Sequence, residues 1–309
     1  VRIAYVDFWP RFRPEHFPAR FPALAAVTDL RHVEDPREAE LVVFSCFPNG
    51  RRTTRPRDPR DHAGARGTRL FYTAENVRPD FATCDYAISF ARDLVDDRHL
   101  RVPNYVCTQA AYGFAPEALR RRVADPAEAR RAKTRFCTYV QGNPVPFRED
   151  FVRALSRYAR VDCAGPSLNN TGFVADRARK YELYRESKFA VTFENEAAVG
   201  YTSEKMPDAL LSGCVPIYWG DPTVHLDFDP RCFVHARDYP TFDALIERVA
   251  ELDRDDAAYE AMLGAARLRT DRAPDGADPD VLHAFFERVV ASAALRAAGT
   301  DRAALARRS

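Results

Sequence analysis

Short apolar runs recur along this chain at intervals set by helix-length spacers, and that rhythm constrains the fold more than any other feature. Over the first 110 residues the runs IAYVDFW, AELVVFSCF, RLFYTAEN, CDYAISF and PNYV alternate with turn signals and crossover-sized segments. Antiparallel hairpins need loops of only about two to five residues, whereas parallel strands need a crossover, so the spacing predicts a parallel sheet in an α/β domain. From Arg135 the rhythm restarts with RFCTYVQGN, VDCAG, FAVTFEN and CVPIYWG as strands and FREDFVRALSRYA, KYELYRESK and SEKMPDALLSG as helices between them. Residues 111–133, polar and rich in Ala and Arg, are the expected connector, dividing the chain into domains 1–132 and 133–309. Two amphipathic segments, TFDALIERVAELDRD and VLHAFFERVVASAALRAA, carry apolar residues at helical spacing and are assigned to the second domain. Two doubly wound domains with terminal helices predict an enzyme with its site in the cleft between them.

Charge narrows the function. With 46 Lys and Arg against 45 Asp and Glu the net charge is +1, which supplies no basic field for nucleic acid. No apolar run approaches the ~20 residues of a membrane span and the start VRIAYVDFWPRF lacks a signal-peptide core, so a soluble chain is expected. The cysteines at 46, 84, 107, 137, 163, 214 and 232 form no CxxC pair and several lie inside strand-like runs, which reads as buried thiols in a reducing compartment rather than a disulfide or zinc framework. The expected location is the cytoplasm, free or at the cytoplasmic face of a membrane. The loop RRTTRPRDPRDHAGARG, residues 51–67, holds six arginines after a strand's carboxyl end; a solvated loop and an acceptor-contacting lid both fit it.

Chemistry concentrates in residues 189–222, FAVTFENEAAVGYTSEKMPDALLSGCVPIYWGDP. The strand FAVTF ends in Glu194 and Asn195 at the carboxyl edge of a parallel sheet, where α/β proteins place ligands. The next helix is expected to open with Ser203 as N-cap and Glu204 in its first turn and to stop at Gly213. Lys205 is out of place there, because a first-turn cation opposes the helix dipole; with the free N–H groups it makes an anion site.

This segment resembles the signature of the α1,3/α1,4-fucosyltransferases, the family-10 glycosyltransferases: FEN, a short gap, YxTEK, a helix and a VP-aromatic strand ending in Gly. RLFYTAENVRPDFATCDYAISF and FCTYVQGNPVPFRED are similar to further blocks of the bacterial members, so the resemblance covers roughly residues 1–245. It departs from the pattern at Ser203 for Thr, Gly142 for Ser and Glu196 for Ser. The resemblance implies a GT-B fold of two Rossmann-like domains and inverting transfer of L-fucose from GDP-fucose to a glycan hydroxyl, an α1,3 linkage to a GlcNAc-type acceptor being the expected product. Inversion needs a base for the acceptor proton and cations for the departing diphosphate. By resemblance Glu75 of TAEN is the base, and Arg148 and Lys205 bind the diphosphate. Glu204 and Tyr201 resemble the ribose and base contacts, while Glu194 and Asn195 line the site, Glu194 near the fucose.

The Asp227-Phe228-Asp229 triplet has the letters of a metal-binding DxD but sits in turn context before Pro230. No obligatory metal is expected, a divalent ion at most assisting diphosphate release. Two other readings stay open: a transferase for another GDP-sugar or a natural-product acceptor, and a non-catalytic module that binds nucleotide-sugar or glycan. Glu75, Arg148 and Lys205 together speak against the module, which needs no base.

Overall fold

A computed structural model describes residues 1–111, 116–269 and 276–299. These fall into two compact units, the first of residues 1–111 with 276–299 and the second of residues 116–269.

The first unit contains β1 (Arg2–Val6), α1 (His16–Arg20), α2 (Pro22–Val27), β2 (Arg31–His32), β3 (Leu41–Phe44), α3 (Pro59–Ala63), β4 (Thr68–Tyr72), β5 (Tyr86–Ser89), β6 (His99–Arg101) and α4 (Asn104–Ala111). Its six strands are all parallel in the order β2-β1-β3-β4-β5-β6. β3 and β4 are buried at every position, as strands covered on both faces must be, and they supply LVVF and TRLFY. PNYV, read from sequence as a strand, instead opens α4, and the strand there is His99–Arg101. A four-residue apolar run has no period by which strand and helix can be told apart.

The second unit contains α5 (Pro126–Arg131), β7 (Arg135–Tyr139), α6 (Pro146–Leu155), β8 (Val161–Cys163), α7 (Arg177–Glu186), β9 (Ser187–Val191), α8 (Lys205–Leu211), β10 (Val215–Tyr218), β11 (Val234–His235), α9 (Phe242–Arg254) and α10 (Asp256–Leu263). Its strands are parallel in the order β11-β10-β9-β7-β8. Phe151, Phe189, Phe193, Val215, Val249 and Tyr259 lie in its core, packing α6, α9 and α10 onto the sheet.

The expected domain limits shift at both ends. Residues 116–131 belong with the second unit, where Arg130 on α5 pairs with Glu260 on α10 at 2.7 Å. Residues 112–115 of the expected connector lie outside the described residues. The terminal helix α11 (Pro279–Ala297) joins the first unit rather than the second. It buries Phe285, Phe286, Val289 and Ala293, sets Ser292 Oγ 3.1 Å from Thr68 Oγ1, and pairs Arg296 with Asp85 at 2.9 Å. An amphipathic pattern shows that a helix has an apolar face but not which core receives it.

Candidate active site

In the second sheet the first strand, β7, lies between β8 and β9, so the connections leave it in opposite directions. Such a switch point opens a crevice at the carboxyl ends of the two central strands, where ligands of open α/β sheets bind. The loop after β7 supplies Gln141, Asn143 and, on the first turn of α6, Arg148; the loop after β9 supplies Glu194 and Asn195. Arg148 is fully buried and spans both loops. Its Nη1 donates to Asn195 Oδ1 at 2.8 Å, Gln141 Oε1 at 3.2 Å and the Phe193 carbonyl at 3.4 Å, and its Nη2 donates to the Asn143 carbonyl at 2.6 Å. Every partner is a neutral oxygen, Nε has none, and among the described residues no carboxylate pairs with this guanidinium. Burial pushes its pKa down, more than the opposing charges of Tyr139, Glu194 and Glu149 raise it.

Lys205 stands beside it under different conditions. Its Nζ donates to Glu194 Oε2 and Ser203 Oγ, each at 2.9 Å. Burial works against the ammonium, but Glu194 and then Glu204 outweigh it and raise its pKa. Glu194 is 0% exposed and receives Ser203 N and Ser203 Oγ at 2.8 Å besides Lys205, so its carboxylate is committed to holding this turn together. The expectation of Glu194 near the fucose therefore meets an inward-facing anchor. The same bond corrects the predicted helix cap: Ser203 spends its hydroxyl on Glu194, α8 begins at Lys205, and Glu204 occupies the N-cap position without a side-chain cap bond. Gly213, in the left-handed region at φ 64°, follows the helix end as expected.

Burial alone would raise the Glu204 carboxyl, but Lys205 and Lys180 overcome it and hold the group below its ordinary 4.5. Tyr201 is buried, and its carbonyl accepts from Tyr218 Oη at 3.4 Å. Asn195 is exposed apart from its bond to Arg148. Six of the seven candidate residues thus gather around one strand edge and the helix beside it.

Glu75, the seventh, lies in the first unit, three residues past β4. Its side chain is 37% exposed and its Oε2 lies 3.5 Å from Arg52 Nε. Arg52 belongs to the Arg-rich loop, which is thereby tied to this carboxylate rather than wholly solvated; Arg78 pairs with Asp93 instead. Thr73 Oγ1 receives Glu75 N at 3.1 Å and fixes the turn.

Sequence reasoning missed the residues that brace the site. Asp221, fully buried, accepts from Gly200 N at 2.8 Å and from Thr223, pinning the loop ahead of Tyr201. Gly220 packs so closely that a Cβ would sit 2.6 Å from Glu194 Cγ. Asp208 on α8, also fully buried, receives Tyr181 Oη at 2.6 Å and Lys180 Nζ at 2.8 Å, clamping α8 to α7. A cavity of about 490 Å³ beside the site is lined by Phe147, Trp219, Arg237, Tyr239, Thr241 and Phe242. The motif segment 189–222 contains Asp208, Trp219, Gly220 and Asp221, but sequence reasoning assigned none of them a bracing role.

Asp229 accepts from Arg231 N and pairs with its guanidinium at 2.6 Å, an ordinary turn. Among the described residues no group of three or more His, Cys, Asp and Glu could hold a metal ion, and no helix is long and apolar enough to cross a membrane. All seven cysteines are buried and free.

Comparison with known proteins places the chain in a family. Residues 3–108 match the alpha-(1,3)-fucosyltransferase FucT N-terminal domain, and residues 130–264 match the C-terminal region of glycosyltransferase family 10 (fucosyltransferase). The alpha-(1,3)-fucosyltransferase FucT of Helicobacter pylori is 33% identical over 230 residues, 65% of this chain and 48% of that protein. A putative fucosyltransferase of Acanthamoeba polyphaga mimivirus is 29% identical over 42% of this chain and 24% of its own length. The chain thus spans about half the length of these curated relatives or less. A crystal structure of an alpha1,3-fucosyltransferase with GDP-fucose is 26% identical, with a TM-score of 0.76 over 94% of this chain and 90% of that one. Anabaena HepE in complex with UDP and glucose, at 9% identity and a TM-score of 0.51, shares the fold alone. The two parallel sheets with their helices are the GT-B type of architecture. From its first strand to α10 the chain belongs to glycosyltransferase family 10, the fucosyltransferases.

Proposed function

We propose that this chain transfers L-fucose from GDP-fucose, with inversion, to a hydroxyl of a GlcNAc-type glycan, forming an α1,3 linkage. The observation that carries the reading is Arg148, a buried guanidinium held by neutral oxygens at a sheet switch point, beside a Lys205 whose ammonium keeps one donor beyond Glu194 and Ser203. A diphosphate supplies the counter-charge that Arg148 lacks, and a guanidinium fork matches phosphate oxygens.

In the proposed reaction the acceptor oxygen attacks the anomeric carbon of fucose from the face opposite GDP and gives its proton to Glu75. The bond from that carbon to the β-phosphate oxygen breaks, its electron pair stays on GDP, and Arg148 and Lys205 meet the charge that develops. Glu194 positions Lys205 and Ser203 rather than touching the sugar. Glu204 takes the ribose hydroxyls, Tyr201 packs on the nucleoside, and Asn195 aims the Arg148 fork. These cations do the electrostatic work without a metal, so turnover in excess chelator is expected to be nearly full. Release of GDP, assayed with a panel of GDP-sugars against glycan acceptors, tests the reading. The expected result is acceptor-dependent release from GDP-fucose above all others; release from another GDP-sugar alone overturns the donor.

A further inference from the structure

In the loop after β7, Gly142 and Asn143 are exposed, whereas Gln141 is buried, at 8% exposure. Its backbone is clamped by the loop after β8. The Gln141 carbonyl accepts from Ser167 N at 3.2 Å, and a Cβ on Gly165 would sit 2.2 Å from the same oxygen and 2.5 Å from Gln141 N. Only a glycine lets the two loops approach this closely, and the approach fixes the point from which the Gln141 side chain leaves. That side chain runs to Arg148. Its Oε1 accepts from Arg148 Nη1 at 3.2 Å, and its Nε2 is buried with no hydrogen-bond partner among the described residues. The amide cannot be turned round to relieve this, because a guanidinium has only donors and needs the oxygen. A buried N–H without an acceptor weighs against the folded state, and an apolar side chain of similar size would avoid it. Stability alone therefore gives no reason for an amide here; Arg148 does.

The charges around Arg148 show what the amide does. The two carboxylates whose charge acts on the guanidinium, Glu194 and Glu149, are each held by another cation. Glu194 pairs with Lys205 at 2.9 Å, while Glu149 pairs with Arg153 at 3.0 Å and also accepts from Ser167 Oγ at 2.7 Å. Against Arg148 itself stand only amides and carbonyls, with Gln141 and Asn195 sharing Nη1. A neutral oxygen holds a guanidinium in place and leaves its charge for a ligand, whereas a carboxylate at the same point would hold it more strongly and cancel that charge.

We infer that Gln141 is a positioning residue for the donor: through Oε1 it holds the Arg148 fork for a diphosphate without neutralising it. The role rests on the proposed function only for placing a nucleoside diphosphate at Arg148; neither the sugar nor the acceptor enters it.

Two variants separate this role from a structural one, each measured for GDP affinity by calorimetry and for Tm without nucleotide. Gln141→Glu keeps the shape and strengthens the bond to Arg148, but supplies the counter-charge that Arg148 lacks. A residue that only held the fold together would be served as well or better by Glu. The positioning role predicts the opposite movement: a Tm unchanged or raised, and GDP binding weakened about a hundredfold, because the added carboxylate opposes a diphosphate. Gln141→Leu removes the bond and the unpaired Nε2 together, so Tm is expected to hold while GDP binds about tenfold more weakly, as for one lost hydrogen bond to a charged group. A Gln141→Glu protein with wild-type GDP affinity overturns the inference, and so does a loss of affinity that only accompanies a loss of Tm in both variants. A wild-type protein that binds no GDP overturns the inference and the proposed donor together. If the wild type binds GDP and transfers no fucose, and the variants behave as expected, the proposed reaction fails and the role of Gln141 stands.

Discussion

At the scale of residues, Arg148 and Lys205 carry equal charge under unequal conditions. Lys205 is half-neutralised by Glu194 at 2.9 Å, whereas Arg148 meets only neutral oxygens. Both Arg148→Ala and Lys205→Ala are expected to weaken GDP binding and lower turnover together, measured by calorimetry and initial rates. Arg148→Lys is expected to restore little, because a point ammonium cannot reach the four acceptors that the planar fork spans. Wild-type kinetics in both alanine variants would remove the anion site. GDP is expected to bind more tightly than UDP or ADP. Gly220→Ala tests the bracing: its Cβ would press on Glu194 Cγ at 2.6 Å and dislodge the anchor of Ser203 and Lys205. Overpacking of this kind costs about 1–3 kcal/mol, so a lowered Tm with a larger loss of GDP affinity is expected, and an unchanged GDP affinity would contradict the anchoring role.

At the scale of elements, charge pairs hold the helices where the sheets need them. In the first unit the buried Arg69 is gripped by Asp85 at 3.0 Å and Asp58 at 3.0 Å, and Asp85 also receives Arg296 of α11 at 2.9 Å. Asp85→Asn leaves Arg69 and Arg296 undercompensated and is expected to cost roughly 3 kcal/mol in denaturant unfolding. Burial would raise the Asp85 carboxyl, but its bonds to Arg69 and the charge of Arg296 hold it below 3.8, as Lys205 and Lys180 hold Glu204 below 4.5. Groups depressed in the folded state stabilise it above their unfolded values and lose that contribution as pH falls through the folded ones. Thermal stability is therefore expected to be steady from neutral pH down to about 5 and to drop progressively below pH 4.5, less steeply in Asp85→Asn.

α9 was legible because its apolar period runs over more than three turns, and β3 and β4 because their apolar runs are continuous and bounded by turn signals. The misses share a cause, that partners distant in sequence leave no local trace. Ser203 has a cap residue's chemistry but spends it on Glu194, Arg52 reaches Glu75 from 23 positions away, and α11 shows a face without naming its core. Of the six candidates in the second unit, Glu194, Asn195 and Lys205 were readable from a strand edge and a helix start, whereas Arg148, Tyr201 and Glu204 came from the family resemblance.

At the scale of the whole molecule, the proposed reaction divides the labour between the two units, with the donor grip on the second sheet and the proton acceptor on the first. In the proposed reaction Arg148, Lys205 and Glu204 hold GDP, and Glu75, 3.5 Å from Arg52, takes the acceptor's proton. A binding module would need the first group and not the second. The most direct test is the rate of fucose transfer by Glu75→Gln at saturating GDP-fucose, with GDP affinity and Tm measured on the same preparation. Glutamine keeps the shape but cannot take a proton, so transfer is expected to fall about 10²- to 10⁴-fold while GDP affinity and Tm hold. A stable Glu75→Gln protein transferring fucose at the wild-type rate would contradict the base assignment and the division of labour built on it.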